Sequence, residues 1–157
     1  MDFSTLFRLE ENLNLDKKTL VFLRWIALLG QLFSVNLVYF YLNLNFPVLL
    51  CHIVIFLGLL TNIYLQFGLK ATLLKDFYSS SFLMYDVIQL SILLLLTGGI
   101  FNPFAILLIV PTIVSSTFLS MGSTIILGSS TIILLFILTF FNMPLPGMEE
   151  YVLSFPN

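Results

Sequence analysis

Long apolar stretches fill most of this chain, and short polar or turn-forming segments separate them. Each stretch holds about 20 residues, the length of helix that crosses a hydrocarbon layer of about 30 Å. Residues 43–45, the charged segment 70–76 and the glycines at 98 and 99 mark the first three breaks. The pattern predicts five membrane-spanning helices, at residues 20–41, 47–67, 79–97, 103–120 and 122–141.

The break between the fourth and fifth helices rests on length and on turn-forming residues. No charged residue occurs between Phe104 and Phe141, and one helix of that length would greatly exceed the thickness of the bilayer. Ser120, Gly122 and Ser123 lie near the middle of the run and favour a turn. We therefore expect a hairpin there.

The amino-acid composition also indicates a membrane protein. Hydrophobic residues make up 59% of the chain and charged residues only 9%, whereas soluble domains carry about 25% charged residues. A globule of about 150 residues leaves about 30% of its unfolded surface exposed, so this much apolar surface requires lipid as its solvent. We expect an all-α integral membrane protein, an antiparallel bundle of five transmembrane helices, with membrane lipid and no nucleic acid among its partners.

Basic residues predict the orientation, because short cytoplasmic loops are enriched in Lys and Arg. Lys17, Lys18 and Arg24 lie at the start of the first span, and Lys70 and Lys75 lie between the second and third spans. The loops that would then face outward contain no Lys or Arg. We expect a multi-pass protein of the bacterial inner membrane with a cytoplasmic N-terminus.

Two segments flank the predicted bundle of residues 20–141. Segment 1–19 is expected to be cytoplasmic, and both a short interfacial helix and a frayed tail are compatible with it. The interfacial helix would place Phe3, Leu6, Phe7 and Leu13 on the inner leaflet. Segment 142–157 is expected to be a periplasmic loop at which the bundle is truncated.

The residues that usually carry soluble chemistry are scarce. Cys51 and His52 are the single cysteine and histidine of the chain, and neighbouring positions on a helix point about 100° apart. They therefore suit packing and interhelical hydrogen bonding better than a metal site or a nucleophile–base pair. No nucleotide-binding, metalloprotease or nucleophile-elbow motif occurs. We predict no catalytic and no metal-binding residues in this chain.

One polar turn stands out, TGGIFNPF at residues 97–104. Asn102 is a favoured N-cap, Pro103 is favoured at the first helical position, and Gly98 and Gly99 favour a tight turn after the third helix. A plain helical hairpin explains these residues. The same residues also suit a ring-shaped ligand, because glycine lets a ring approach the backbone, Phe101 and Phe104 offer stacking faces, and an amide can donate to a carbonyl oxygen.

A family resemblance favours the ligand-binding interpretation. The stretch DVIQLSILLLLTGGIFNPF, residues 86–104, closely resembles the sensor region of RegB/PrrB-type redox-sensing histidine kinases, whose hallmark is GGxxNPF between the third and fourth transmembrane helices. LRWIALLGQ, residues 23–31, is similar to the start of the family's first helix. The resemblance extends loosely over most of the chain.

The resemblance implies a six-helix membrane sensor that binds ubiquinone and lowers autophosphorylation when the quinone pool is oxidised. Transferred to this chain, the quinone-binding residues are Gly98, Gly99, Phe101, Asn102, Pro103 and Phe104. It also implies a homodimer formed through the kinase region and a cognate response regulator. The chain departs from the family in its five spans rather than six, and it lacks the phospho-accepting helix and the ATP-binding domain, so ATP would bind only outside this chain.

Polar residues inside the predicted spans form a second candidate site, since such residues are functional suspects in membranes. Arg24, Asn62 and Asp86 fall at roughly 6 to 10 Å from the inner edge, and Gln31 and Gln89 at about 15 Å. We predict an intramembrane polar seam in which Asp86 pairs with Arg24. The seam either relays the state of the quinone inward or only fixes helix packing.

A small transporter subunit and a structural membrane anchor are the alternatives to a sensor. A transporter would show a broken helix near the bilayer midplane, for which Pro111 is the one interior candidate. An anchor would not need the grouping of Gly98, Gly99, Asn102, Pro103 and Phe104.

Overall fold

The computed structural model describes residues 15–41, 46–70 and 72–141, and its long elements are all helices. The helices are α1 (Lys17–Phe40), α2 (Val48–Ile63), α3 (Asp76–Leu96), α4 (Val110–Phe118) and α5 (Met121–Phe140). Two short strands, β1 (Leu15–Asp16) and β2 (Leu73–Leu74), pair antiparallel. The all-helical class is confirmed. The predicted interfacial helix and periplasmic loop lie outside the described residues.

Among the described residues, four helical segments are long and apolar enough to cross a membrane: Lys17–Phe40, Val48–Gly68, Asp76–Leu96 and Met121–Phe140. Lys17–Phe40 and Asp76–Leu96 each begin three residues earlier than the sequence predicts, because Asp16 caps the N–H of Lys18 and Asp76 starts the third helix within the charged segment. The second ends in a π-helical turn, Tyr64–Gly68. Polar residues at these ends extend the helices beyond their apolar cores.

The fourth predicted span, 103–120, differs most from expectation. Residues Pro103–Ile109 form a 3₁₀-helix, and only Val110–Phe118 is α-helical. Pro111 has no N–H to donate to the carbonyl four residues earlier, and the N–H of Val110 bonds to Leu107 in the 3₁₀ pattern. A 3₁₀-helix rises about 2.0 Å per residue, against 1.5 Å in an α-helix. The 3₁₀ and α-helical parts together, residues 103–118, therefore reach about 28 Å.

One end of the bundle, which we call the lysine end, gathers the start of α1, the loop before α3 and the turn between α4 and α5. The N–H of Lys17 donates to Thr72 O at 3.1 Å, and its Nζ donates to Leu69 O at 2.6 Å. The Asp76 carboxylate accepts from the N–H and the hydroxyl of Ser120, at 2.7 and 2.9 Å, and from the hydroxyl of Ser123. These bonds place all three segments together.

The core is built around α3. In the most apolar stretch of α3, 50% is buried inside the bundle, against 22–28% for the same stretch of the other long helices. One cluster packs α3 against α1 and α2, with Leu28, Cys51 and Leu93 among its members. Another packs α3 against the 3₁₀ segment and α5, through Leu94, Leu108 and Leu138. Many other large apolar side chains are exposed on the outer faces of the helices, as lipid-facing residues are.

Candidate functional site

The polar turn after α3 has the backbone that its sequence predicts. Gly98 and Gly99 have φ values of 107° and 61°, a left-handed conformation that side-chain-bearing residues rarely adopt. A short 3₁₀ turn, Gly99–Phe101, follows, and Asn102 is extended before Pro103 opens the next helical segment. The two glycines are therefore required by the turn itself.

Both the oxygen and the nitrogen of the Asn102 side-chain amide form hydrogen bonds within this turn. Its Oδ1 accepts from the N–H of Phe104 at 2.9 Å, which is the predicted N-cap. Its Nδ2 donates to Thr97 O at 3.0 Å and to Thr97 Oγ1 at 2.8 Å. Thr97 was not predicted as a partner of Asn102, although it lies directly before the two glycines in the sequence. Asn102 thus ties the end of α3 to the start of the next segment.

The remaining residues of the turn divide into a buried and an exposed side. Gly99 is buried, and Ile100 packs against the cluster formed with α5. Phe101 is 68% exposed and Phe104 is 39% exposed. The exposed surface of the turn is therefore that of its two phenyl rings, whereas both glycines lie on the buried side. The Asn102 amide, in contrast, would have to exchange a bond to Thr97 in order to donate to a ligand.

The pairing of Arg24 with Asp86 predicted from membrane depth is confirmed. Arg24 Nε and Nη2 lie 3.0 and 2.9 Å from Asp86 Oδ1. The Arg24 side chain is only 3% exposed and that of Asp86 23%. The guanidinium also lies 5.2 Å from the centre of the Phe82 ring and 5.8 Å from that of Tyr85. The pair joins α1 to α3 inside the bundle.

Thr61 is the α2 member of this cluster, rather than Asn62. Arg24 Nη2 donates to Thr61 Oγ1 at 2.8 Å, and Thr61 donates in turn to Gly58 O. Asn62 is fully buried, and its Nδ2 donates to Val21 O of α1 at 3.5 Å. Thr61 and Asn62 are neighbours along α2, and which of the two faces Arg24 depends on how α2 is rotated about its axis.

The second layer of the predicted seam is also brought together. Gln89 Nε2 donates to Gln31 Oε1 at 3.0 Å, again joining α3 to α1. Gly58 of α2 lies against the Gln89 amide so closely that a Cβ at this position would overlap it. From Asp86 to its last residue, Leu96, α3 rises about 15 Å. The same helix therefore carries the seam and ends at the polar turn.

Cys51 and His52 pack as their neighbouring positions suggest. Cys51 is buried in the cluster between α1, α2 and α3. His52 Nδ1 lies 2.8 Å from Val48 O, and its Nε2 lies 3.4 Å from Asn36 Nδ2 of α1. The histidine therefore contributes to a contact between two helices.

The comparison with known proteins agrees with the family resemblance of the sequence as a whole. The chain is 36% identical over 141 residues to the sensor histidine kinase RegB of Cereibacter sphaeroides. The match covers 89% of this chain and 30% of the relative, so the chain spans less than a third of that protein's length. No protein-family model and no solved structure matches the chain. The resemblance of this chain to the membrane sensor region of RegB-type sensor histidine kinases is thereby confirmed.

Proposed function

We propose that this chain is the membrane-embedded sensor part of a redox-responsive two-component histidine kinase. The observation that carries the proposal is the 36% identity to RegB over 89% of the chain. A sensor needs an element that reaches from a ligand site to the opposite side of the membrane, and α3 supplies one. It runs from the polar turn, past the Arg24–Asp86 pair, to the lysine end. The kinase activity, its ATP, the homodimer and the response regulator belong to the whole protein.

The proposed architecture is a five-span antiparallel bundle in the bacterial inner membrane with a cytoplasmic N-terminus. The 3₁₀ segment supports a fourth span, since residues 103–118 reach about 28 Å, close to the hydrocarbon thickness. The hydrogen bonds at the lysine end hold α1, the loop before α3 and the turn before α5 on one side. The basic residues at this end favour the cytoplasm.

The proposed ligand is ubiquinone, with its ring against Gly98, Gly99, Phe101, Asn102, Pro103 and Phe104 at the periplasmic end of the bundle. The exposed faces of Phe101 and Phe104 support ring stacking, which contributes about 0.5–1.5 kcal/mol per pair. Asn102 keeps the turn in shape through Thr97 and Phe104. An isoprenoid tail would lie along the apolar outer faces of the helices.

A phosphorylation assay tests this function. We expect the full-length protein in lipid vesicles to autophosphorylate more slowly with oxidised than with reduced ubiquinone. Phe101→Ala is expected to diminish the difference, because it removes the most exposed ring of the turn. Phe136→Ala, which truncates a similarly exposed ring on α5, is the matched control. Equal rates under both quinone states would contradict redox sensing, and absence of phosphorylation would contradict the kinase assignment.

The orientation is tested by labelling a single cysteine in cells. In a Cys51→Ser background, a cysteine at Ile100 is expected to react with a membrane-impermeant maleimide added from the periplasmic side. A cysteine at Lys70 is expected to react only after the inner membrane is opened. Labelling of the Ile100 position only from the cytoplasm would overturn the topology.

A further inference from the structure

A groove between α2 and α3 opens to the outside of the bundle near its lysine end. It measures about 370 Å³ and is lined by one residue of α2, Thr61, and five of α3: Phe77, Tyr78, Ser81, Phe82 and Tyr85. The five share one face of α3, since residues three and four apart lie one above the other on a helix. From Phe77 to Tyr85 the helix rises about 12 Å, so the groove extends from the end of the bundle into the hydrocarbon layer.

The groove wall presents mainly hydrocarbon and aromatic surface to a ligand. The hydroxyl groups of Ser81 and Thr61 already have hydrogen-bond partners within the protein. Ser81 Oγ donates to Phe77 O at 2.7 Å. Thr61 Oγ1 accepts from Arg24 and donates to Gly58 O. A narrow apolar molecule that enters from the membrane, such as an acyl chain, suits this wall better than a polar head group does.

The mouth of the groove lies at the basic end of the bundle. Among the described residues, this end carries Lys17, Lys18, Lys70 and Lys75 against Asp16 and Asp76, four positive charges against two negative, a net charge of +2. Lys70 and Lys75 are exposed, and Lys75 precedes the first groove residue, Phe77, by two positions. The Asp76 carboxylate accepts hydrogen bonds from Ser120 and Ser123. The charge at the mouth therefore favours an anion.

We propose that this groove binds one acyl chain of an anionic phospholipid whose phosphate lies at Lys70 and Lys75. The apolar wall takes the chain, and the two lysines take the head group. Basic residues near a membrane surface attract anionic lipids with an energy that corresponds to about fivefold in affinity for each lysine. A lipid held here would contact both α2 and α3 beside the Arg24–Asp86 pair. The proposal does not depend on quinone binding at the other end of α3.

Native mass spectrometry of the protein purified in mild detergent tests the charge requirement. Phosphatidylglycerol and phosphatidylcholine with identical acyl chains are supplied in equal amounts. We expect one phosphatidylglycerol molecule to be retained in preference to phosphatidylcholine. The double variant Lys70→Gln/Lys75→Gln is expected to lower phosphatidylglycerol retention roughly 25-fold and to leave phosphatidylcholine unchanged. Equal retention of the two lipids, or unchanged retention in the double variant, would overturn the proposal.

A second pair of variants tests the groove itself. Ser81→Trp fills the groove and is expected to abolish retention of the anionic lipid. Ser116→Trp is the control, since Ser116 is exposed on α4 and its hydroxyl bonds to its own helix backbone in a similar way. Circular dichroism verifies that both variants keep their helices. If Ser81→Trp does not fold, the lysine variant alone decides. Full retention in a folded Ser81→Trp protein would exclude the groove as the site.

Discussion

Replacing Asp86 by Leu is expected to destabilise the protein by about 3–5 kcal/mol, the usual effect of removing one partner from a buried ion pair. Arg24 is 3% exposed, and Asp86 Oδ1 accepts from two of its nitrogen atoms. Arg24 Nη1 has no hydrogen-bond partner among the described residues, so the variant would leave most of the guanidinium unpaired. Denaturant unfolding of the purified protein in detergent measures the change.

Two further variants separate charge from shape at this site. Asp86→Asn keeps an acceptor oxygen for Arg24 and is expected to cost less than Asp86→Leu. The double variant Arg24→Leu/Asp86→Leu removes both charges and is expected to recover much of the lost stability. Ile88→Leu, on an exposed position of the same helix, is the neutral control. A double variant no more stable than Asp86→Leu would show that the ion pair is not the cause.

The Asp86→Asn variant also tests whether the polar seam relays the state of the quinone or only fixes helix packing. If the seam transmits the quinone state, this variant is expected to bind quinone normally and to lose the response of autophosphorylation to it. If the seam only fixes helix packing, the response persists in the folded variant. Position between the two ends of α3 is no evidence of coupling by itself, so the kinase measurement decides.

Replacing Asn102 by Ala is expected to weaken quinone binding about five- to tenfold, the equivalent of about one hydrogen bond. The variant also loses the cap on Phe104 and the bonds to Thr97, which costs about 1–2 kcal/mol of stability. Titration with ubiquinone measures the affinity, and unfolding measures the stability.

Asn102→Ser and Thr97→Val separate a direct contact from support of the turn. Serine keeps a capping oxygen for Phe104 but cannot donate as the longer amide does. Thr97→Val removes a partner of Asn102 while leaving its amide in place. A turn-supporting role predicts weaker quinone binding in both variants, whereas a direct contact predicts a loss in Asn102→Ser alone. Unchanged quinone binding in both Asn102 variants would exclude this turn as the site.

Features set by local sequence were predictable in this protein. The long helices follow from apolar segments of about 20 residues, because a helix satisfies its own backbone wherever it meets lipid. The turn at Gly98 and Gly99 and the cap at Asn102 follow from conformations that few other residues adopt. Even the Arg24–Asp86 pair was predictable in depth, since residue number alone fixes position along a helix axis.

Rotation and packing of the helices decided the rest. Thr61 and Asn62 lie at nearly equal depth but point about 100° apart, and only the docking of α2 directs Thr61 to Arg24. The bonds of Asp76 to Ser120 and Ser123 join positions more than 40 residues apart. The groove beside Thr61 likewise needs two helices at a particular separation. Sequence therefore determined the helices, the positions of their polar residues along each axis and the polar turn. Tertiary structure determined which helix faces meet, because the angle about each axis depends on all neighbouring side chains together.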